Sequence, residues 1–145
     1  MPFPTPTPGL VIRYSYLWAA EHRRGQEEGV KDRPCAVVLT VTGPTGDPVV
    51  TVLPVTHSPP SDPALAVEIP PAVKHRLRLD DERSWVVLTE ANRFVWPGPD
   101  LRPLGPDMPN STAYGSLPYA LFEEIRRKFI ASIKAKTMRP VPRST

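Results

Sequence analysis

The chain of 145 residues has a single cysteine, Cys35, and that scarcity removes whole classes of architecture. No internal disulfide can form, and no Cys/His set has the spacing of a zinc site, so a metal is not expected. A chain without disulfides suits a reducing compartment, and the cytoplasm is the expected location. No apolar run approaches the roughly 20 residues that a helix needs to cross a bilayer, so no membrane partner is expected. Glycine is also sparse, at 8 residues, and none of it makes a glycine-rich phosphate loop. No nucleotide or other cofactor is therefore expected. Charge of one sign does not dominate: 18 Lys and Arg against 15 Asp and Glu leave +3, a mild excess that suits an anionic partner without demanding one.

Proline is what the chain has in excess, at 21 residues against an average of about 5%. Most of these prolines stand at segment edges, where they end strands and stiffen loops. The hydrophobic share of 40% and charged share of 23% are those of a globular protein. The length is that of one domain, about 100–200 residues. The opening Met1-Pro2-Phe3-Pro4-Thr5-Pro6-Thr7-Pro8 has neither a basic nor an apolar stretch and reads as an extended tail, not a signal peptide. The expected organisation is a flexible tail over 1–8, one domain over 9–136 and a second flexible tail over 137–145.

Within the domain, alternation predicts a first strand over Gly9–Trp18, followed by a long polar loop, Glu21 to Gly29. Apolar runs predict strands over Pro34–Val41 and Val49–Thr56, turned by Gly43-Pro44-Thr45-Gly46-Asp47 into a hairpin buried on both faces. Cys35, inside the first of these, reads as a small core hydrophobe. Leu65–Ile69 predicts a short strand, and Pro70–Leu77 a helical turn opened by proline. Further strands are predicted over Ser84–Glu90 and Arg93–Trp96. Leu117, Leu121, Phe122, Ile125, Phe129, Ile130 and Ile133 recur with helical spacing, and early Glu and late Arg and Lys suit the dipole of a helix over Pro118–Lys136. The fold class that follows is mainly β with a C-terminal helix, its short strands curled into a small barrel.

Chemistry is concentrated where strands end. Lys31-Asp32-Arg33-Pro34 opens one hairpin strand, and Pro54-Val55-Thr56-His57 closes the other. If the two strands pair, a guanidinium, a hydroxyl and an imidazole converge. The first offers a planar fork of donors suited to phosphate, and the last gives and takes a proton near neutral pH. Cleavage of RNA needs no metal if one group takes the 2′-hydroxyl proton, one protonates the leaving 5′-oxygen and one stabilises the charge between them. Arg33 suits stabilisation, Thr56 donation to a non-bridging oxygen, and His57 proton transfer. Glu90, at the end of a later strand, suits a base or a group that orients Arg33 or Arg93. Trp96, before Pro97-Gly98-Pro99, suits stacking on a base. Lys74, His75, Arg76 and Arg78 read as a solvated basic face, as do His22 and His75 individually. Each site has a plainer reading: Arg33 paired with Asp32 or Glu28, Thr56 making a turn, His57 in a solvated loop.

Taken in order, Gly9…Ile12…Tyr14, Glu21…Gly29-Val30-Lys31-Asp32-Arg33-Pro34, the valine run, Pro54-Val55-Thr56 and Leu88-Thr89-Glu90-Ala91-Asn92-Arg93 resemble the PemK/MazF toxin family across residues 9–135. The resemblance implies a small SH3-like barrel of PemK/MazF/CcdB type with a terminal helix. It also implies a homodimer that cuts single-stranded RNA at chosen sequences without metal, leaving a 2′,3′-cyclic phosphate, and a cognate antitoxin that blocks it. By position, the family's arginine before proline matches Arg33, its threonine or serine after the third strand Thr56, its acid Glu90 and the following basic residue Arg93. With Arg93, the candidate RNA contacts are Trp96, Lys31 and Asn92. Some members carry a further arginine two residues before the acid; Leu88 stands there in this chain, and His57 is the candidate to replace it. The rival readings are a barrel that poisons DNA gyrase by binding, and a catalytically degenerate interaction module.

Overall fold

A computed structural model describes residues 3–20, 32–135 and 139–142. Strands Leu10–Tyr14 (β1), Arg33–Thr42 (β2) and Pro48–Thr56 (β3) form an antiparallel meander. The β2–β3 turn closes as the sequence predicts: Gly43 N–H donates to Asp47 O at 2.8 Å and Gly46 N–H to Gly43 O at 3.0 Å. Gly46 turns at φ +89°, which a residue with a Cβ rarely adopts. Ala66–Glu68 (β4), helix Pro71–Arg76 (α1), Trp85–Val87 (β5), Glu90–Val95 (β6), Ala113–Ser116 (β7), helix Tyr119–Lys134 (α2) and Arg139–Pro142 (β8) complete the chain.

One sheet contains all eight strands, with β3 as its branch point. One edge of β3 carries β2, which leads on to β1 and β7. The other edge carries β6 along Val49–Val52 and β5 along Val55–Thr56. The register shifts between these two ladders, so Leu88 and Thr89 fall in the break and the sheet bends there. The break between the two strands predicted over Ser84–Glu90 and Arg93–Trp96 therefore falls at Leu88–Thr89, and Glu90 opens the second strand instead of closing the first. Every ladder is antiparallel except β6 with β8.

The expected mainly β class with a C-terminal helix is present. The curled sheet, however, is open among the described residues: no ladder joins β7 to β4 or β8. The end strands are only three and four residues long, too short to carry a closing row of hydrogen bonds. Both termini are also more ordered than free tails. Pro6 is buried, and its carbonyl accepts from Thr40 Oγ1 at 2.6 Å. Arg139–Pro142, expected to fray, lies along β6 instead.

Two apolar clusters cover the two faces of the hairpin at its Cys35–Val38 end, whereas Leu39 and Val41, expected to be buried, are exposed near the turn. Val11, Ala36, Val38, Leu53 and Val55 face Ile125 and Phe129 of α2. Ile12, Cys35, Val37, Val50 and Val52 face the other way, against Tyr14, Phe94 and Trp96. Along α2, Leu121 and Phe122 pack partly and Ile125 and Phe129 fully, whereas Ile130 and Ile133 of the predicted stripe are exposed. The buried face therefore ends at Ser132 rather than continuing through every apolar position. Ile125→Ala is expected to lower unfolding free energy by about 2–5 kcal/mol in urea titrations. Ile133→Ala should change it by less than about 0.5 kcal/mol. Equal effects of the two would contradict this packing.

Candidate functional site

Register decides which strand ends meet. Cys35 pairs with Pro54 and Ala36 with Leu53, and that ladder ends at Cys35–Pro54, two residues short of Arg33 and Thr56. Pro34 holds Arg33 extended, so its side chain leaves at a fixed place on the rim. The Arg33 guanidinium lies 4.8 Å from the centre of the Trp18 ring, and Nη1 donates to Val55 O at 3.4 Å. Its Nε is buried with no hydrogen-bond partner among the described residues. Asp32 does not neutralise it: that carboxylate sits 3.8 Å from Arg13 Nε and 3.6 Å from Arg102 Nε.

A cavity of about 340 Å³ opens at this end of the hairpin, with Arg33, Val55 and His57 in its wall. Arg13, Arg33, Lys74 and Arg78 supply four cations around it against the two carboxylates of Asp32 and Asp80, and Leu79, Leu104 and Tyr114 supply apolar surface. Burial raises the pKa of the Tyr114 phenol, with neighbouring Arg13 acting in the opposite direction. Arg78 reaches the wall from a backbone at φ +59°, in the turn that follows α1.

His57 stands between two acids. Its Nε2 is 2.8 Å from Asp80 Oδ2 and its Nδ1 is 3.3 Å from Glu82 Oε2. Asp80 is in turn tied by Lys74, whose buried ammonium also donates to Ser84 Oγ at 2.7 Å and to the Glu82 carbonyl. All three Lys74 protons are thus used, which is how a lysine side chain only 6% exposed is tolerated. This corrects the reading of Lys74 as part of a solvated face; His75 and Arg76 are exposed as expected. Partial burial pushes the Asp80 carboxyl upward, but the hydrogen bonds and charges of Lys74 and His57 outweigh it and hold the pKa below the ordinary value. With both ring nitrogens facing carboxylates, a proton reaches His57 from a substrate only if one contact yields. Glu82, the more distant and 72% exposed, is the one placed to do so.

The sequence candidates fall into separate groups. Arg33 and His57 share the cavity, whereas Thr56, between Val55 and His57 in sequence, is not in its wall. The Thr56 hydroxyl oxygen accepts from Ser58 N–H at 3.2 Å, a turn contact that leaves its own proton uncommitted by that bond. Glu90 is not in the cavity wall. Its Oε1 accepts from Tyr16 O–H at 3.1 Å and Ala19 N–H at 2.9 Å. Burial and the negative charge of Glu90 both push the Tyr16 phenol far up, so it stays protonated as that donor. Asn92, expected to touch RNA, is fully buried, with Oδ1 accepting from Leu17 N–H at 2.9 Å and Nδ2 donating to Leu17 O at 2.8 Å. Trp96 is buried beside Phe94 in the second core cluster, so its ring offers no face for stacking. Arg93 is exposed on β6, opposite Thr51, away from the cavity wall. Lys31, His22 and Glu28 lie outside the described residues.

Three cavity features have no local signal in the sequence: Arg13, which merely alternates along β1, Tyr114, and Asp80, which is 23 residues from its partner His57. His57, Asp80 and Glu82 also bring one ligand-type atom each within 4.8 Å, a grouping invisible as linear spacing. All three are exposed, and the Lys74 ammonium on Asp80 opposes a cation there. No family model and no curated protein matches the chain.

A carboxyl whose folded-state pKa is depressed adds stability above its unfolded value of about 4 and loses it as pH falls through the lower folded value. Amide protection factors over residues 77–84, taken against the intrinsic rate at each pH, are therefore expected to fall below about pH 4, and Asp80→Asn should show low protection already at neutral pH. Protection in that variant matching the parent at all pH values would remove Asp80 as the tie.

Proposed function

We propose that this chain is the toxin of a type II toxin–antitoxin pair, an endoribonuclease that acts on single-stranded RNA in the cytoplasm. The observation that carries the reading is the placement of Arg33 and His57 in the wall of one cation-rich cavity. The open, bent sheet capped by a helix supports an SH3-like barrel of the PemK/MazF type as its finer description. That resemblance supplies the homodimer and the antitoxin as expected partners. An antitoxin segment rich in acidic residues suits the same cavity, because it would meet four cations there.

In the proposed reaction the 2′-oxygen attacks phosphorus, a new O–P bond forms and the P–O5′ bond breaks. His57 takes the 2′-hydroxyl proton, with Asp80 fixing the ring and Glu82 displaced by the substrate. Arg33 binds the phosphoryl oxygens as charge builds on them, and the Thr56 hydroxyl donates to a non-bridging oxygen. The departing 5′-oxygen takes a proton from the His57 imidazolium or from water, giving a 2′,3′-cyclic phosphate and a 5′-hydroxyl. Glu90 is left out of the proton path because it lies behind the Tyr16–Ala19 segment.

Incubating the purified protein with a long RNA in EDTA tests this. Fragments with cyclic-phosphate ends are expected, and Arg33→Ala should cut the rate by about 10²–10³-fold, as removal of a charge-stabilising donor does. That variant should retain the parent's circular dichroism. Intact RNA, found together with inhibited DNA supercoiling, would overturn the nuclease in favour of a gyrase-binding barrel.

A further inference from the structure

The chain from β6 to Arg33 can be followed contact by contact. Glu90 opens β6, and one of its oxygens takes hydrogen bonds from both Tyr16 and Ala19. Two residues further on, Asn92 pairs with the N–H and the C=O of Leu17. Residues 16–19 are therefore fastened to β6 at three successive points around Trp18, although they form no strand with it. The Tyr16 ring meets Trp18 edge-on at 5.1 Å. Trp18 in turn lies against the Arg33 guanidinium at 4.8 Å, while Val55 O takes one of its edges.

We propose that Glu90 and Asn92 are positioning residues that act on Arg33 through Trp18, and that Glu90 carries no proton in the reaction. The proposal rests on the reading of Arg33 as the anion-holding group. The physical argument is one of constraint. An arginine has a long flexible stem and loses that freedom only if its planar head is held. No carboxylate is recorded against Arg33 among the described residues; the recorded contacts of its head are an aromatic face and one carbonyl. A cation–π contact orients the guanidinium without cancelling its charge, which a carboxylate partner would do. The ring can do this only while its own backbone is held, and residues 15–18 have no regular strand or helix to hold it. The side chains of Glu90 and Asn92 take over that task. Both are polar groups at the start of a strand whose neighbours Ala91 and Leu88 are buried, so the anchor is built into the core rather than laid on the surface.

Two substitutions at Glu90 separate this from a proton-transfer role. Glu90→Gln keeps an oxygen able to accept both bonds but cannot serve as a base, whereas Glu90→Ala removes the anchor. The first should cleave RNA within about threefold of the parent, and the second about 10²-fold more slowly, as expected for a displaced catalytic group. The pH profile of Glu90→Ala should keep the parent's shape. Trp18→Leu should lose as much as Glu90→Ala, and the double variant should lose no more than either alone. If Glu90→Gln is as damaged as Glu90→Ala, and one limb of the pH profile disappears with it, the proposal fails.

A second readout does not depend on cleavage. In the parent, the Trp18 ring current should shift the Arg33 Nε–Hε resonance upfield, with the assignment made by its loss in Arg33→Lys. Glu90→Gln should keep that shift; Glu90→Ala and Trp18→Leu should abolish it. An unmoved resonance in Glu90→Ala overturns the proposal even if RNA is cut. A shift that behaves as expected in a protein that cuts no RNA upholds the clamp and refutes only the nuclease reading.

Discussion

The antiparallel ladder between β2 and β3 is the constraint from which the rest of the molecule is hung. Cys35–Val38 of β2 and Thr51–Val55 of β3 are buried on both faces, so a slip of one residue would exchange the side chains that face α2 with those that face Tyr14 and Phe94. The register is therefore held by two cores at once. It has one irregularity, between Val37 and Leu39, where an extra residue in β2 interrupts the ladder and increases the local twist. At the other end the ladder closes on Cys35 and Pro54, and Arg33 still reaches β3 through its bond to the Val55 carbonyl.

A buried ammonium does for the opposite wall of the cavity what the ladder does for the first. Lys74 is placed by a short helix that begins at Pro71 and is too short to be stable alone. Its charge is compensated by Asp80 and its remaining protons by Ser84 and the Glu82 carbonyl. A buried pair of this kind adds little net stability, since desolvation offsets most of the attraction. What it does is specify geometry: the loop can follow only the path that brings acceptors to the lysine. That path sets Asp80 and Glu82 on either side of His57. The imidazole directly follows β3 and its partners belong to the loop after α1, so the pairing also ties the two halves of the cavity together.

The parts of this arrangement that could be read from sequence are those determined by local periodicity. The hairpin, its turn at Gly43–Asp47 and the long helix were legible because valine runs, a glycine-bearing turn and a spacing of three and four each signal one structure. That Arg33 and His57 share a cavity followed from the hairpin, while the hydroxyl of Thr56, expected to join them, is not in its wall. What failed depended on distant partners. Trp96 stands before a Pro-Gly-Pro turn, where exposure is the usual outcome, yet stacking near Phe94 and Tyr14 draws it inside. Arg139–Pro142 carries two prolines and looks like a frayed end, but a parallel edge strand makes few demands on N–H donors and tolerates them. Glu90 and Asn92 look like solvent-facing polar residues at a strand end. Nothing in their neighbours announces that an irregular segment more than 70 positions earlier needs their hydrogen bonds.

The charge arrangement at the rim explains why Arg33 in particular is suited to an anion. Asp32, its immediate neighbour in sequence, is the obvious internal partner, and had the two paired, a bound phosphate would have had to displace a carboxylate. Asp32 lines the same cavity as Arg33, yet its carboxylate is held by Arg13 and Arg102 instead. Arg13 is engaged further by the Leu104 carbonyl at 3.3 Å, and Arg102 by the Pro99 carbonyl at 2.8 Å. The acid is thereby consumed by cations that have carbonyl partners of their own, while the recorded contacts of Arg33 are a ring face and one weakly angled carbonyl. A buried donor without a partner is costly in a folded protein, and Arg33 Nε has none among the described residues. The division of partners at the rim, which spends the Asp32 carboxylate on Arg13 and Arg102, is thus what leaves the neighbouring guanidinium without an acid among the described residues.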